Sequence, residues 1–170
     1  MSDKDIQRKT LSLLHTVTAA LPQVEERQGQ NEMAVAIALA VDTKRHLIVQ
    51  AGTGTGKTLG YLVPLIASGK RIVVSTYTKA LQDQLAANDL PLLSEVLGKE
   101  LNRHISWAVL KGRSNYICAQ RVDEISSPKQ AKLDLESIPA KVTKEIARLT
   151  EWFTQTDTGD QGDLTWRSSE

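Results

Sequence analysis

"VQAGTGTGKTLGYLVP", residues 49 to 64 of the 170-residue chain, is the stretch whose reading decides the fold. The apolar run "HLIVQA" (46 to 51) feeds directly into glycines, and "KTLGYLVPLIAS" follows with helical character before Gly69. Strand, glycine-rich turn and helix is therefore the expected order. Ala51 to Thr58 reads A-GTGT-GKT, the phosphate-loop pattern with alanine in place of its first glycine. Gly52, Gly54 and Gly56, interleaved with Thr53 and Thr55, let successive backbone N–H groups turn toward phosphate oxygens, and the helix starting near Lys57 adds its positive dipole end. Lys57 suits the β- and γ-phosphates as a mobile point charge, and the Thr58 hydroxyl suits Mg²⁺. These two are the candidate catalytic residues. The competing explanation is a glycine-rich turn that binds nothing.

Working outward, "RIVVSTYT" (71 to 78) repeats the β-branched strand signal, and "HISWAVLKG" (104 to 112) is a third strand candidate. Between them, "KALQDQLAANDLPLLSEVLG" reads as a helical stretch interrupted near Pro91 and closed by Gly98. Strands alternating with helices predict an α/β layer with parallel strands and right-handed crossovers. Ahead of the loop, Ile6, Leu13, Leu14, Val17 and Leu21 fall at helical spacing before Pro22, and "NEMAVAIALAVDTK" fits a second helix. Beyond Arg121 the pattern is helical, with Val142, Ile146, Leu149 and Phe153 on one face. From Glu151 to Glu170, Glu151, Asp157, Asp160, Asp163 and Glu170 face Arg167 alone, and this stretch reads as a loop or frayed end.

Composition narrows the class. With 41% hydrophobic residues the chain can bury a core, and a formal charge of +1 argues against a strongly basic coat for nucleic acid, although a neutral total can hide a local basic patch. The first residues mix acids and bases without an apolar core, so no signal peptide is expected, and no window approaches the roughly 18 apolar residues of a membrane span. Cys118 is the single cysteine, which excludes an internal disulfide framework and fits a reducing cytoplasm.

Four strings carry a resemblance. "ERQGQNEM", "AGTGTGKTLGYLVP", "VVSTYTKALQDQLAANDLPLL" and "LKGRSNYIC" stand in the order and approximate spacing of the XPD/DinG group of superfamily 2 DNA helicases, and the likeness is to its bacterial DinG and YoaA branch. It covers roughly residues 24 to 121, and the last two strings are more diagnostic than the phosphate loop. The resemblance implies a RecA-like P-loop domain, ATP and Mg as ligands, and single-stranded or forked DNA as the partner, tracked 5′ to 3′ in repair or replication. Arg27 and Gln30 match the segment that the family uses for adenine, where a Gln amide can pair donor and acceptor with a base edge; a solvated helix start is the bland alternative. Ser75, Thr76 and Gln82 match the motif that touches the single-strand backbone, positioning without reading sequence; strand-end capping is the alternative. Lys111, Arg113 and Tyr116 offer charge and a stacking face for DNA, or an ordinary basic turn.

Cys118 matches the first cysteine of the family's iron-sulfur domain. A [4Fe-4S] cluster takes four thiolates, so the cluster is expected in a longer protein and not in this chain alone. The resemblance therefore implies an N-terminal helix over 1–22, the first part of a RecA-like domain over 23–112, and the start of an iron-sulfur domain over 113–170. No Asp-Glu-Ala-His-type motif follows an apolar strand, so the chain is expected to be the N-terminal part of a longer helicase, inactive in hydrolysis by itself. Two rival classes stay open: a P-loop ATPase or kinase acting on a small molecule or protein, and a non-enzymatic nucleotide- or DNA-binding module.

Overall fold

The structure, a computed structural model, describes residues 2–22, 27–126, 139–164 and 166. The chain divides into two compact units, Met1–Val109 and Leu110–Glu170.

Among the described residues, the first unit is built on five α-helices. α1 (Asp3–Ala19) starts at Ser2, whose hydroxyl accepts the Asp5 N–H, and its apolar stripe buries Ile6, Leu13, Leu14 and Val17. α2 (Gln28–Thr43) and α3 (Lys57–Ala67) pack on each other and on α1. α3 is apolar nearly all round, burying Leu59, Leu62, Val63, Pro64 and Ile66, which is why it lies in the middle of this unit. Its Pro64 falls deep enough in the helix to cost one ladder bond, and Gly69 at φ 72° then ends the helix.

α4 (Lys79–Gln84) passes through a π-helical turn, Leu85–Asp89, into α5 (Leu90–Glu100). Pro91 lacks the N–H that an α-helix would give to the carbonyl four residues back, and the wider turn just before it absorbs the mismatch. The sequence reading placed an interruption at this point and an end at Gly98. The helix instead runs to Glu100 and closes with Asn102 at φ 48°, where Arg103 N donates to Gly98 O at 3.0 Å and Asn102 N to Lys99 O at 3.2 Å. That paired closure needs a left-handed residue, and Asn tolerates the conformation where most residues do not. Leu93 and Leu97 of α5 join Leu13, Leu14, Val17, Ala34, Leu59, Leu62, Val63, Ile66 and Leu85 in one core.

The expected parallel strands do not form among the described residues. Residues 46–51, 71–76 and 104–112 are non-helical, and no strand ladder forms among the described residues. A strand exists through inter-strand hydrogen bonds, and β-branched sequence alone does not supply the partner. Ile72 and Ile105 pack against the core, but other apolar side chains of these segments lie open, with Ile48 97%, Val73 89% and Leu110 85% exposed.

The second unit contains a 3₁₀ turn at Arg113–Asn115, then α6 (Ala119–Ser126), α7 (Ala140–Gln155) and a 3₁₀ turn at Gln161–Asp163. The acidic stretch is a further correction: α7 occupies its first residues, and the loop that follows pairs by a single antiparallel bridge between Tyr116 and Asp160. Ile117 N donates to Gly159 O at 2.9 Å, and Gln161 Nε2 to Ser114 O at 3.1 Å. Acidic composition suggested fraying, but these bonds are made by backbone groups and by the Gln161 amide, which the count of acids does not reveal.

Candidate phosphate-binding site

The loop between residue 51 and α3 has the backbone that its glycines permit. Gly54 at φ 76° and Gly56 at φ 72° are both left-handed, a conformation that side chains with a Cβ resist. Thr55 Oγ1 donates to Gly52 O at 3.0 Å, tying the turn across its base. Lys57 Nζ donates to Ala51 O at 3.2 Å and to Gly52 O at 2.5 Å, so the cation is held at the neck of the loop. Gly56 caps α3 from the left-handed region and Gly60 N donates to its carbonyl at 3.1 Å, so the helix ladder begins at the loop's last residue. The end of the loop is thereby the start of the helix dipole.

Two side chains from the beginning of α2 reach the loop. Arg27 Nη1 donates to Gly54 O at 2.6 Å, and Gln30 Nε2 to Gly56 O at 2.8 Å. Gln30 is buried, and a Cβ built on Gly56 would lie 2.2 Å from its Nε2. Tyr61, one turn along α3 from Thr58, has a phenol pushed up mainly by burial, with the Thr58 side chain opposing the shift and the Asp89 charge adding to it. Tyr61 is a neighbour of the site that the sequence reading passed over, although its i, i+3 spacing from Thr58 was a usable signal. A loop of this shape brings together backbone N–H groups, a cation and a hydroxyl, the donor set for a phosphate chain with its divalent ion.

The remaining candidates in the first unit lie at the start of α4. Ser75 is exposed in the extended segment, and Thr76 Oγ1 donates to Thr78 O at 3.1 Å. Thr78 is the N-cap, its hydroxyl accepting Leu81 N at 3.3 Å, and Gln82 lies on the first turn and a half of the helix. Ser75, Thr76 and Gln82 thus share one helix entrance, organised by Thr78, a residue that sequence reading left out.

In the second unit, Lys111 is not presented to solvent. Its Nζ lies 2.7 Å from Asp160 Oδ2, with the two side chains only 10% and 14% exposed, and its backbone N–H donates to the Tyr116 hydroxyl at 2.8 Å. The Lys111 charge is thus paired and enclosed rather than displayed on the surface as a DNA contact would have it. Tyr116 is held in the same way, whereas Arg113 is exposed on the 3₁₀ turn. Cys118 is an exposed free thiol, and no group of three or more His, Cys, Asp or Glu side chains that could hold a metal exists among the described residues. No described helix is long and apolar enough to cross a membrane.

Comparison with known proteins adds to this geometry. The model of the DEAD/DEAH box helicase family matches residues 28–155. The chain is similar to the ATP-dependent helicase DinG of Mycobacterium tuberculosis, 42% identical over 164 residues, a match covering 89% of this chain and 24% of that protein. It is similar also to the ATP-dependent DNA helicase YoaA of Escherichia coli, 40% identical over 141 residues, covering 83% of this chain and 21% of the relative. A third relative, the 3′-5′ exonuclease DinG of Bacillus subtilis, is 32% identical over 148 residues, covering 85% and 15% respectively. The chain thus spans about a quarter or less of the length of these relatives.

Proposed function

The chain belongs to the DEAD/DEAH box helicase family, and from that membership we propose that it supplies the ATP-binding part of an ATP-dependent DNA helicase. The observation that carries the reading is the loop itself: two left-handed glycines, Lys57 at the neck and Thr58 on the first turn of α3. Phosphate oxygens are stronger acceptors than the Ala51 and Gly52 carbonyls, so Lys57 exchanges the carbonyls for the β- and γ-phosphates. Ala51, Gly52, Thr53, Gly54, Thr55 and Gly56 supply backbone N–H groups. Thr58 fits Mg²⁺, which would screen the phosphate charge. Arg27 lies beside the same loop, as the adenine-side segment of this reading requires.

Single-stranded or forked DNA is the partner in this reading, in the cytoplasm, with Ser75, Thr76, Gln82 and Arg113 as backbone contacts and translocation 5′ to 3′ in repair or replication. The RecA-like sheet of the family is built in this reading from the three extended segments together with strands contributed by further chain. The residues present do not fit a [4Fe-4S] cluster, because one thiol stands where four are needed. Cys118 is a ligand only if further chain supplies the others.

The test is ATP turnover of the native-length protein with and without single-stranded DNA. Stimulation by DNA is expected, together with loss of turnover in Lys57→Ala by a factor of roughly a hundred or more, the scale of a lost charge-stabilising group. Turnover that ignores DNA, or that survives in Lys57→Ala, overturns the proposal.

A further inference from the structure

Tyr77 stands wholly in solvent, 102% exposed. A single exposed aromatic is ordinary on a protein surface, but the setting of this one is not. The backbone bends at Tyr77, between the extended segment 71–76 and the first residue of α4. Thr76 Oγ1 donates to Thr78 O at 3.1 Å across that bend. Thr78 in turn caps α4, its hydroxyl accepting Leu81 N at 3.3 Å. The corner that presents the ring is therefore tied on both sides.

The other open apolar side chains have a different reason to be open. Ile48 and Val73 belong to extended segments whose β-branched composition suits pairing into a sheet. Tyr77 follows such a segment, so a ladder along 71–76 would end before it. Its chain neighbours are polar: Ser75 and Thr76 precede it, Thr78 follows, Lys79 is exposed at the start of α4, and Gln82 lies one turn further on. Hydroxyls, an amide and a cation engage a sugar-phosphate backbone and leave the bases untouched. Single-strand sites complete that set with an aromatic face on which a base stacks, a contact indifferent to sequence because every base has a π-face.

We infer that Tyr77 is a base-stacking residue at the α4 entrance, its ring packing against one base of single-stranded DNA while the polar groups around it hold the backbone. The inference rests on the reading of this entrance as a single-strand contact. Stacking depends on the ring and on the base and not on charge, which separates it from the backbone contacts beside it.

The experiment compares wild type, Tyr77→Phe and Tyr77→Ala in the native-length protein, each binding a thymidine oligonucleotide and an abasic oligonucleotide of the same length over a range of salt concentrations. Tyr77→Ala is expected to weaken binding of the thymidine strand by about five- to a hundredfold, the scale of one lost stacked base, and Tyr77→Phe, which keeps the ring, by less than about twofold. The abasic strand is expected to bind wild type and Tyr77→Ala alike, and the salt dependence to be unchanged, because the ring neutralises no phosphate. Thermal unfolding, expected to be the same for all three proteins given so exposed a side chain, assigns the loss to the contact and not to the fold. Thymidine binding by Tyr77→Ala equal to that of wild type overturns the inference and leaves the entrance a backbone contact alone. Equal weakening of both strands overturns it in favour of a backbone role, and Tyr77→Phe as weak as Tyr77→Ala does so by assigning the effect to the phenol hydroxyl. If wild type binds neither strand, the single-strand reading itself fails and the inference falls with it.

Discussion

At Lys111, residue type and position point in different directions. A lysine in "LKGRSNYIC" suggests a cation for phosphates, yet its Nζ meets Asp160 Oδ2 at 2.7 Å across 49 positions of sequence, a distance that no local pattern encodes. Removing one partner leaves the other charge enclosed without its counter-ion, so Asp160→Ala is expected to destabilise the second unit by about 3 kcal/mol, read by chemical denaturation. Replacing both residues by apolar ones of similar size is expected to cost less than the single change. Asp89 gives the corresponding case in the first unit. Burial holds its carboxyl above the usual range, and the Gln84 side chain, with Nε2 3.4 Å from Oδ2, opposes the shift only in part. For an acid whose folded pKa is raised, the favourable contribution is complete below the unfolded pKa and disappears as pH rises through the folded one. Asp89→Asn is therefore expected to be more stable than wild type near neutral pH, with the difference vanishing in acid; thermal unfolding across pH 3 to 7.5, a range set by roughly ordinary carboxylate titration, checks the sign. Lys57 and Thr58 were legible as candidates because Gly-Lys-Thr is a signal written within three residues. Gln30 was legible as a residue of interest, but its contact with Gly56 spans 26 positions and appears only in the fold.

The helices show the same division between local and non-local causes. Apolar spacing with Pro22, Gly69 and the Gly-rich turn was enough to place α1, α2 and α3, because periodicity and stop signals are written within each segment. Their closures were less visible. α2 ends with Lys44 at φ 55°, and Arg45 N donates to Ala40 O at 2.9 Å, a closure in which glycine is the usual residue. Lysine carries a steric cost of about 1 kcal/mol in that conformation, so Lys44→Gly is expected to stabilise the first unit by roughly 0.5 kcal/mol after the added freedom of the unfolded chain is subtracted. A melting temperature that falls instead would show that the Lys44 side chain contributes more than its backbone strain removes. The π turn before Pro91 belongs to this scale too: proline announced an interruption, but the energy of Leu85, Leu93 and Leu97 in the core keeps the axis continuous across it.

At the scale of the whole chain, the open question is where the apolar surface of the extended segments goes. Ile48 and Val73 are almost wholly exposed, and Val49, Val74 and Trp107 are partly so, in segments whose composition is that of buried strands. β-Branched runs were legible in the sequence, but a ladder is a property of two segments, and a central strand needs a neighbour on each side. Unpaired apolar strands are an association hazard, which proteins remove by pairing or covering them. The relatives are four or more times as long as the stretch matched here, so the missing neighbours are sought in further chain. In the native-length protein, amides in 46–51, 71–76 and 104–109 are expected to exchange with solvent at least a hundredfold more slowly than in the 170-residue chain alone. The amides of α3 and α5, which already pack in a shared core, are expected to change much less. Equal exchange of the three segments in both proteins would mean that they are never laddered, and the RecA-like sheet would have to be abandoned while the phosphate loop, held by Arg27 and Gln30 from α2, would stand unaffected.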